Sequence, residues 1–435
     1  MKKIITTIIC CSIICSIAAQ ITLTDAIDMA KQNNKDIQMA HQDVEIARYN
    51  YNDIRGQLFP QVSLVSQYSI SENTLPKSIA PNMKKEESSL IAGIQMQQLL
   101  FSGGKLINGL RVLDKVKTLQ EKKYQLETQN MILSVIQSYY DLYLAQEAFE
   151  IQNQALQNAE RHLQRVENLY TQGIVAEYDL LRAQLEVARL HPELLSYENM
   201  KNLALENFNR ITGNTEEVTL NTQIEQKTNQ YTTFDISLDE ALDTAQENRI
   251  ELYLIRLAAE MYQVQYDAEK GNFLPNVVLQ ADITRYNQSD YTIHRNDFGT
   301  IASVGIALQM PLFTGLSNSS KTNRAAHELR KAQYDIENTT ELINLEIRQN
   351  WQAFYQSIKA LETQETNIAL AQRALQIAQA RFENQFGIQL EVFDAQIQYN
   401  AAQIALAQAR ISIIKDYYTL NKSIGNDLEN ITGEM

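Results

Sequence analysis

Beyond its first 19 residues this chain contains no cysteine: Cys10, Cys11 and Cys15 account for all three. No disulfide framework and no thiolate chemistry is therefore expected in the rest. Glycine (14) and proline (6) are scarce for 435 residues, so little of the chain is loop. Basic residues are outnumbered, 38 against 52, for a formal charge of −14. That balance argues against nucleic acid or anionic lipid as a partner. After the N-terminal segment no run is apolar enough for a membrane helix. A secreted chain without such helices is either soluble or crosses a membrane as a β-barrel. The histidines (His41, His162, His191, His294, His327) are scattered, without His-Glu-x-x-His spacing, and no nucleophile motif or glycine-rich phosphate loop is present. No catalysis, metal or cofactor is expected.

The first 19 residues are different in kind. Lys2 and Lys3 precede an apolar run from Ile4 to Ile17, followed by Ala18-Ala19. This pattern predicts a secretory signal, with the mature chain starting near Gln20. The run is shorter than the ~20 residues of a membrane anchor.

The remainder is a duplication. Ile21 to Leu64 aligns with Ile236 to Leu279 at an offset of 215, with matches such as Leu23/Leu238, Asn33/Asn248, Gly56/Gly271 and Pro60/Pro275. Farther on the offset is 212, as in Phe101/Phe313, Tyr143/Tyr355 and Ala183/Ala395. The expected organisation is a first repeat over 20–210, a polar equatorial linker over 211–235, a second repeat over 236–425 and a tail over 426–435. Each repeat opens on a capping box, Thr22-x-x-Asp25 or Ser237-x-x-Glu240. Helices follow, up to Pro60 and Pro275.

Period two then replaces the helical period. Val62, Leu64, Tyr68 and Ile70 alternate with Gln61, Ser63, Gln67 and Ser69, and Val277, Leu279, Ala281 and Ile283 with Asn276, Gln280, Asp282 and Thr284. Two further stretches, around Ile94 and Val304, behave alike. Strands are expected at 59–70, 89–101, 274–286 and 299–313. One face is apolar; the other carries Gln, Ser, Thr and Gly, which suits a water-filled lumen. Only Asp282 and Arg285 are charged. Polar loops, Ser71 to Glu87 and Asn287 to Phe298, join the paired strands.

After Phe101-Ser-Gly-Gly104 and Phe313-Thr-Gly315 the helical period returns. Leu316 to Phe386 contains neither glycine nor proline, enough for a helix on the order of 100 Å. Its distal half has a 3,4 spacing, Ile368, Ala371, Leu375, Ala378, Phe382, matched by Leu156, Ala159, Leu163, Val166, Tyr170. The returning helices continue it with Leu181, Leu185, Ala188 and with Phe393, Ile397, Asn400, Ile404. Such a repeat predicts supercoiled antiparallel hairpins. Pro192 interrupts the first returning helix. The hairpin turns fall at 171–179 and 383–391.

Four strands cannot close a barrel, and an open sheet edge is not tolerated in lipid. The chain is therefore expected to oligomerise, pooling strands into a transmembrane barrel and long helices into a tube. The fold class is an α+β membrane protein. A soluble periplasmic coiled-coil scaffold is the alternative.

The duplicated Leu-x-x-Ala-x-x-x-Ala openings (Leu23/Ala26/Ala30, Leu238/Ala241/Ala245), the Leu-Phe-Pro and Phe-Leu-Pro strand entries, the Phe-Ser-Gly-Gly and Phe-Thr-Gly exits and the Gln-Leu-Glu-Val-Phe-Asp-Ala-Gln turn resemble the TolC family of outer-membrane efflux proteins. The likeness covers essentially the whole chain after the signal. It implies a homotrimer in outer-membrane lipid of a Gram-negative bacterium, continued by a periplasmic helical tunnel. It also implies a periplasmic adaptor (membrane fusion protein) and an inner-membrane pump as partners, and export of drugs, small toxic molecules or proteins, including type I secretion. By the same resemblance Asp179, Glu391 and Asp394 are gate residues. The turn residues Gln172, Gly173, Ile174, Val175 and Phe386, Gly387, Ile388 are adaptor-docking tips. This chain departs from the family pattern at Gln385, where a glycine is usual, and at Phe382, where a tyrosine is common.

Overall fold

A computed structural model describes residues 20–72, 86–214, 218–220, 228, 231–232, 235–289 and 298–433. The expected signal segment and most of both inter-strand loops lie outside them. The chain divides into two units. The first holds residues 1–38, 125–249 and 342–435; the second holds 39–124 and 250–341.

In the first unit, helix α1 (Leu23–Asn33) starts on the expected capping box: Thr22 accepts from the Asp25 amide while the Asp25 side chain accepts from Thr22. Helix α5 (Leu238–Asn248) repeats this with Ser237 and Glu240. Each box offsets amides that the first helical turn leaves without partners. Ahead of each box a carbonyl is held by an aromatic side chain. Tyr139 Oη donates to the Ile21 carbonyl at 3.1 Å, and Trp351 Nε1 donates to the Ile236 carbonyl at 2.9 Å. These are equivalent bonds in the two repeats, made by different residues. Around them sits an aromatic core including Tyr139, Tyr140, Phe208, Tyr231, Phe354 and Tyr418, all essentially inaccessible. The Tyr231 and Tyr418 hydroxyls lie 3.1 Å apart.

The linker contributes a two-residue strand β4 (Thr219–Leu220), paired in parallel with β1 (Gln20–Ile21). Residues after Gly425 carry a short helix, α9 (Leu428–Gly433), whose Leu428 is buried. Gln129 Nε2 donates to Asp427 just before it.

The second unit contains an antiparallel sheet in the order β2 (Gln61–Glu72), β3 (Glu86–Ser102), β5 (Asn276–Ser289), β6 (Gly299–Gln309). The strands β2 and β5 begin after Pro60 and Pro275, two residues later than expected, because proline has no amide to donate. The fourth strand was expected to reach 313 and stops at Gln309; Pro311 cannot extend its ladder. A bulge at Leu99/Phe101 shifts the register of β3 against β5. The apolar alternation places Leu64, Val304, Ile306 and Leu308 on one face, each at least 68% exposed. Below the sheet two glycine backbones touch. A Cβ on Gly103 (φ +64°) would meet the Gly271 carbonyl oxygen, and one on Gly271 would meet that of Gly103.

Two pairs of helices carry the coiled-coil pattern. Helices α3 (Lys105–Thr171) and α7 (Ser317–Glu383) are each 67 residues long, and they start and stop at the same offset of 212. They return as α4 (Glu177–Thr212) and α8 (Gln389–Ser423). Helix α4 runs on past Pro192. Most of the expected seam is buried or half-buried, Leu156, Val166, Leu375 and Ala378 most fully. The first returning helix differs. Leu181 and Leu185 are 55% and 69% exposed, whereas Ala183 and Leu190 are buried. The heptad there marks an apolar face that the described residues leave uncovered.

Replacing Tyr139 with phenylalanine keeps the ring and leaves the Ile21 carbonyl without its donor. Loss of such a bond costs about 1–3 kcal/mol. Chemical denaturation followed by circular dichroism should show that destabilisation; an unchanged midpoint would mean that the bond does not hold the N-terminal segment.

Candidate functional site: the hairpin turns

The two turns are built alike. In the first, the Ile174 amide donates to the Leu169 carbonyl and the Gly173 amide to that of Tyr170, both at 2.9 Å. In the second, the Phe386 amide donates to Arg381 at 2.8 Å and the Gln385 amide to Phe382 at 3.0 Å. This pair of bonds is a Schellman closure, which needs a left-handed residue. Gly173 (φ 72°) supplies it in the first turn and Gln385 (φ 64°) in the second. For a residue with a Cβ that conformation costs roughly 1–2 kcal/mol. The departure from glycine thus alters the strain of the second turn and not its path.

Both returning helices start without a side-chain cap, at Ala176 and Ile388. Asp179 and Glu391 occupy equivalent positions in their first turns, where a carboxylate complements the helix dipole. Glu391 also faces Arg381, with Oε2 3.8 Å from Nη2, and the same guanidinium donates to the Phe386 carbonyl at 3.3 Å. Asp394 lies beyond the first turn, is exposed, and has no ion-pair partner among the described residues. No bond joins Asp179 to Glu391 or Asp394 among the described residues. The turn residues Ile174 and Ile388 are 52% and 60% exposed, and Phe386 is 82% exposed. Gln172 and Gly173 are exposed as well, while Val175 and Gly387 are partly covered.

Sequence reasoning missed the joint between the hairpins. His162 on α3 lies between Phe382 of α7 (ring centroids 5.6 Å) and Phe393 of α8 (5.3 Å, edge-on). Its Nε2 is 3.1 Å from the side-chain nitrogen of Gln389. Gln389 is buried, and its amide oxygen lacks a donor. Burial, with Arg165 nearby, holds the imidazole below its usual pKa, so the ring sits here neutral at pH 7. One turn along, Arg165 pairs with Glu383 at 3.2 Å. Beside the joint is a cleft of about 370 Å³, lined among others by Arg161, Arg189, Glu186, Gln379 and Gln396. His162 has no counterpart in the second repeat, where the matching residue is Ala374, so the duplication gave no pointer to it.

The outer membrane efflux protein family matches residues 26–214 and 241–426. The chain is 23% identical over 409 residues to the outer membrane protein TolC of Vibrio cholerae, covering 93% of this chain and 90% of that one. It is 20% identical over 400 residues to the alkaline protease secretion protein AprF of Pseudomonas aeruginosa, covering 91% and 82%. Among solved structures, the Campylobacter jejuni CmeC outer membrane channel superposes with a TM-score of 0.79 at 16% identity, covering 95% of this chain and 88% of that one. The matches run through strands and helices of both repeats, which sets aside a soluble scaffold, and they identify a passive duct and no enzyme. The chain belongs to the outer membrane efflux protein family: it is an export channel of the Gram-negative outer membrane, with strands for the barrel and long hairpins for the periplasmic tunnel.

Proposed function

We propose that three copies of this chain form one duct that a periplasmic adaptor and an inner-membrane pump engage at the hairpin turns, which open on docking. The observation that carries this reading is the four-stranded sheet. It ends in β2 and β6, each with one neighbouring strand among the described residues, and it presents an exposed apolar face. Backbone groups at such edges need partners in hydrocarbon, and further copies supply them. The uncovered Leu181/Leu185 face of α4 gives a second surface for the same assembly.

The acids at the second turn form the gate in this reading, and their surroundings divide their roles. Glu391 is engaged by Arg381 in a pair exposed enough to contribute only ~0–1 kcal/mol. Asp394 is unengaged and is the better cation ligand. Asp179 matches Glu391 and acts mainly on its own helix end. Three chains would crowd these carboxylates near the axis and draw cations into the constriction.

Neutralising the acids with Glu391→Gln and Asp394→Asn should weaken block by multivalent cations added from the turn side in planar bilayers, Asp394→Asn more strongly. Unaltered block in both variants would remove them from the gate. Single cysteines at Gly173 or Gly387, in the otherwise thiol-free chain after residue 19, should crosslink to the cognate adaptor in cells. Crosslinking only at positions remote from the turns would rule out docking there.

The His162 joint adds a pH dependence. Its lowered pKa means that the joined state binds fewer protons than the separated one. The joint is therefore complete above the separated-state value of ~6.5 and weakens as pH falls below it. The ring contacts Phe382 on α7 and Phe393 and Gln389 on α8, and the charged groups lining the cleft beside it are Arg161 and Arg165 on α3, Glu186 and Arg189 on α4, and Glu383 on α7. Hydrogen exchange around 382–393 should accelerate between pH 7.5 and 5.5, beyond the intrinsic pH effect, in the parent and not in His162→Gln. Equal acceleration in both would assign it elsewhere.

A further inference from the structure

The sheet carries a charge that the turn-centred reading does not use. Registers place Ser63, Gln95, Asp282 and Ser303 opposite one another across all four strands. This row lies on the face opposite Leu64, Ile94, Ile283 and Ala302, the adjacent register. The apolar face is the one that lipid must cover, so the Asp282 row faces the lumen. Within 61–69, 89–97, 276–286 and 299–309, Asp282 is the only charged residue on the lumen face. Arg285, the other charge within those four ranges, falls on the lipid face with Ala92 and Thr300, its guanidinium 5.3 Å from the ring of Phe298. It therefore cannot neutralise Asp282 from within the lumen.

The carboxylate is held in place. Ser303 Oγ donates to Asp282 Oδ1 across the β5–β6 ladder. Lumen-face positions in the two flanking registers include Gly93 and Gly305, which add no side chain to cover it. Asp282 sits near the middle of β5, away from both rims.

We propose that Asp282 sets a cation preference inside the barrel, separate from the acids at the hairpin turns. The inference rests on the trimeric channel reading, which puts one such carboxylate per chain at a single height of the lumen. A barrel pooled from several chains is wide, so these carboxylates act through their field and not by contact. That fixes the ionic-strength dependence. With a Debye length of ~30 Å at 0.01 M and ~3 Å at 1 M, the preference is present in dilute salt and screened in concentrated salt. The chemical class favoured is the cationic or neutral solute over the anionic one.

The test measures reversal potentials of the full-length channel under a KCl gradient in planar bilayers. The narrow end would otherwise dominate, so the background carries Asp179→Asn, Glu391→Gln and Asp394→Asn. Near 0.01 M salt this background should retain a K⁺ over Cl⁻ preference of about twofold, which vanishes at 1 M. Adding Asp282→Asn should abolish the preference at low salt, and Asp282→Glu should keep it. Asparagine can still accept from Ser303, so Asp282→Asn preserves the cross-strand bond. Ser303→Ala removes that bond, keeps the charge, and should retain the preference. A background that conducts without selectivity, or a preference untouched by Asp282→Asn, overturns this proposal alone. Loss in Ser303→Ala equal to that in Asp282→Asn would make the residue structural and overturn it too. Parent protein that inserts without conducting would overturn the channel reading, and this proposal with it.

Discussion

Everything in this chain follows from the rule that a strand in hydrocarbon must have its backbone groups paired. Four strands give three ladders and leave β2 and β6 as edges. In water a charged or proline-broken edge would suffice. In lipid neither helps, because the cost falls on each unpaired amide and carbonyl, several kcal/mol apiece. The sheet is thus stable in the membrane only as a sector of something larger. The same argument explains why Leu64, Val304 and their neighbours are so exposed. They are the lipid face of a barrel wall and form no core of their own.

The duplication is held together by chemistry rather than by identity. Tyr139 and Trp351 occupy equivalent places and make equivalent bonds to the carbonyls of Ile21 and Ile236. A phenol and an indole share little except an aromatic body and one donor at its edge. What persists between the repeats is a donor at a fixed height on the long helix. The two 67-residue helices show the same economy. Their sequences differ at most positions, yet they end on the same pair of turn bonds, even where glutamine has replaced glycine.

Those regularities were legible in the sequence because they rest on local rules. Capping boxes, period-two strands and the 3,4 spacing each need only a few neighbouring residues. Strand ends were less legible: Pro311 stops β6 short of the Phe313 exit that the repeat suggests. The heptad of α4 is visible as a pattern, but spacing cannot say whether its partner lies in the same chain, and Leu181 and Leu185 stay more than half exposed among the described residues. The His162 joint was not legible at all. It assembles His162, Phe382, Gln389 and Phe393 from helices far apart in sequence, and one hairpin supplies the histidine with no echo in the other.

That asymmetry has an energetic direction. In the first turn glycine takes the left-handed position without strain. In the second, Gln385 takes it at roughly 1–2 kcal/mol. Gln389 buries an amide oxygen without a donor, a cost of about 1–3 kcal/mol. The ion pairs there, Arg165–Glu383 and Arg381–Glu391, are exposed on both sides and return only ~0–1 kcal/mol each. Together these costs, about 2–5 kcal/mol, exceed the about 0–2 kcal/mol that the two pairs return. The second turn is thus held chiefly by the packing of Phe382 and Phe393 on His162, a contact between hairpins rather than within one. Such a contact can be given up without unfolding either hairpin, because each keeps its own seam and its own Schellman closure. A turn that moves on partner docking, as proposed above, needs this arrangement: its own path fixed by local bonds, and its position fixed by a joint of small net stability.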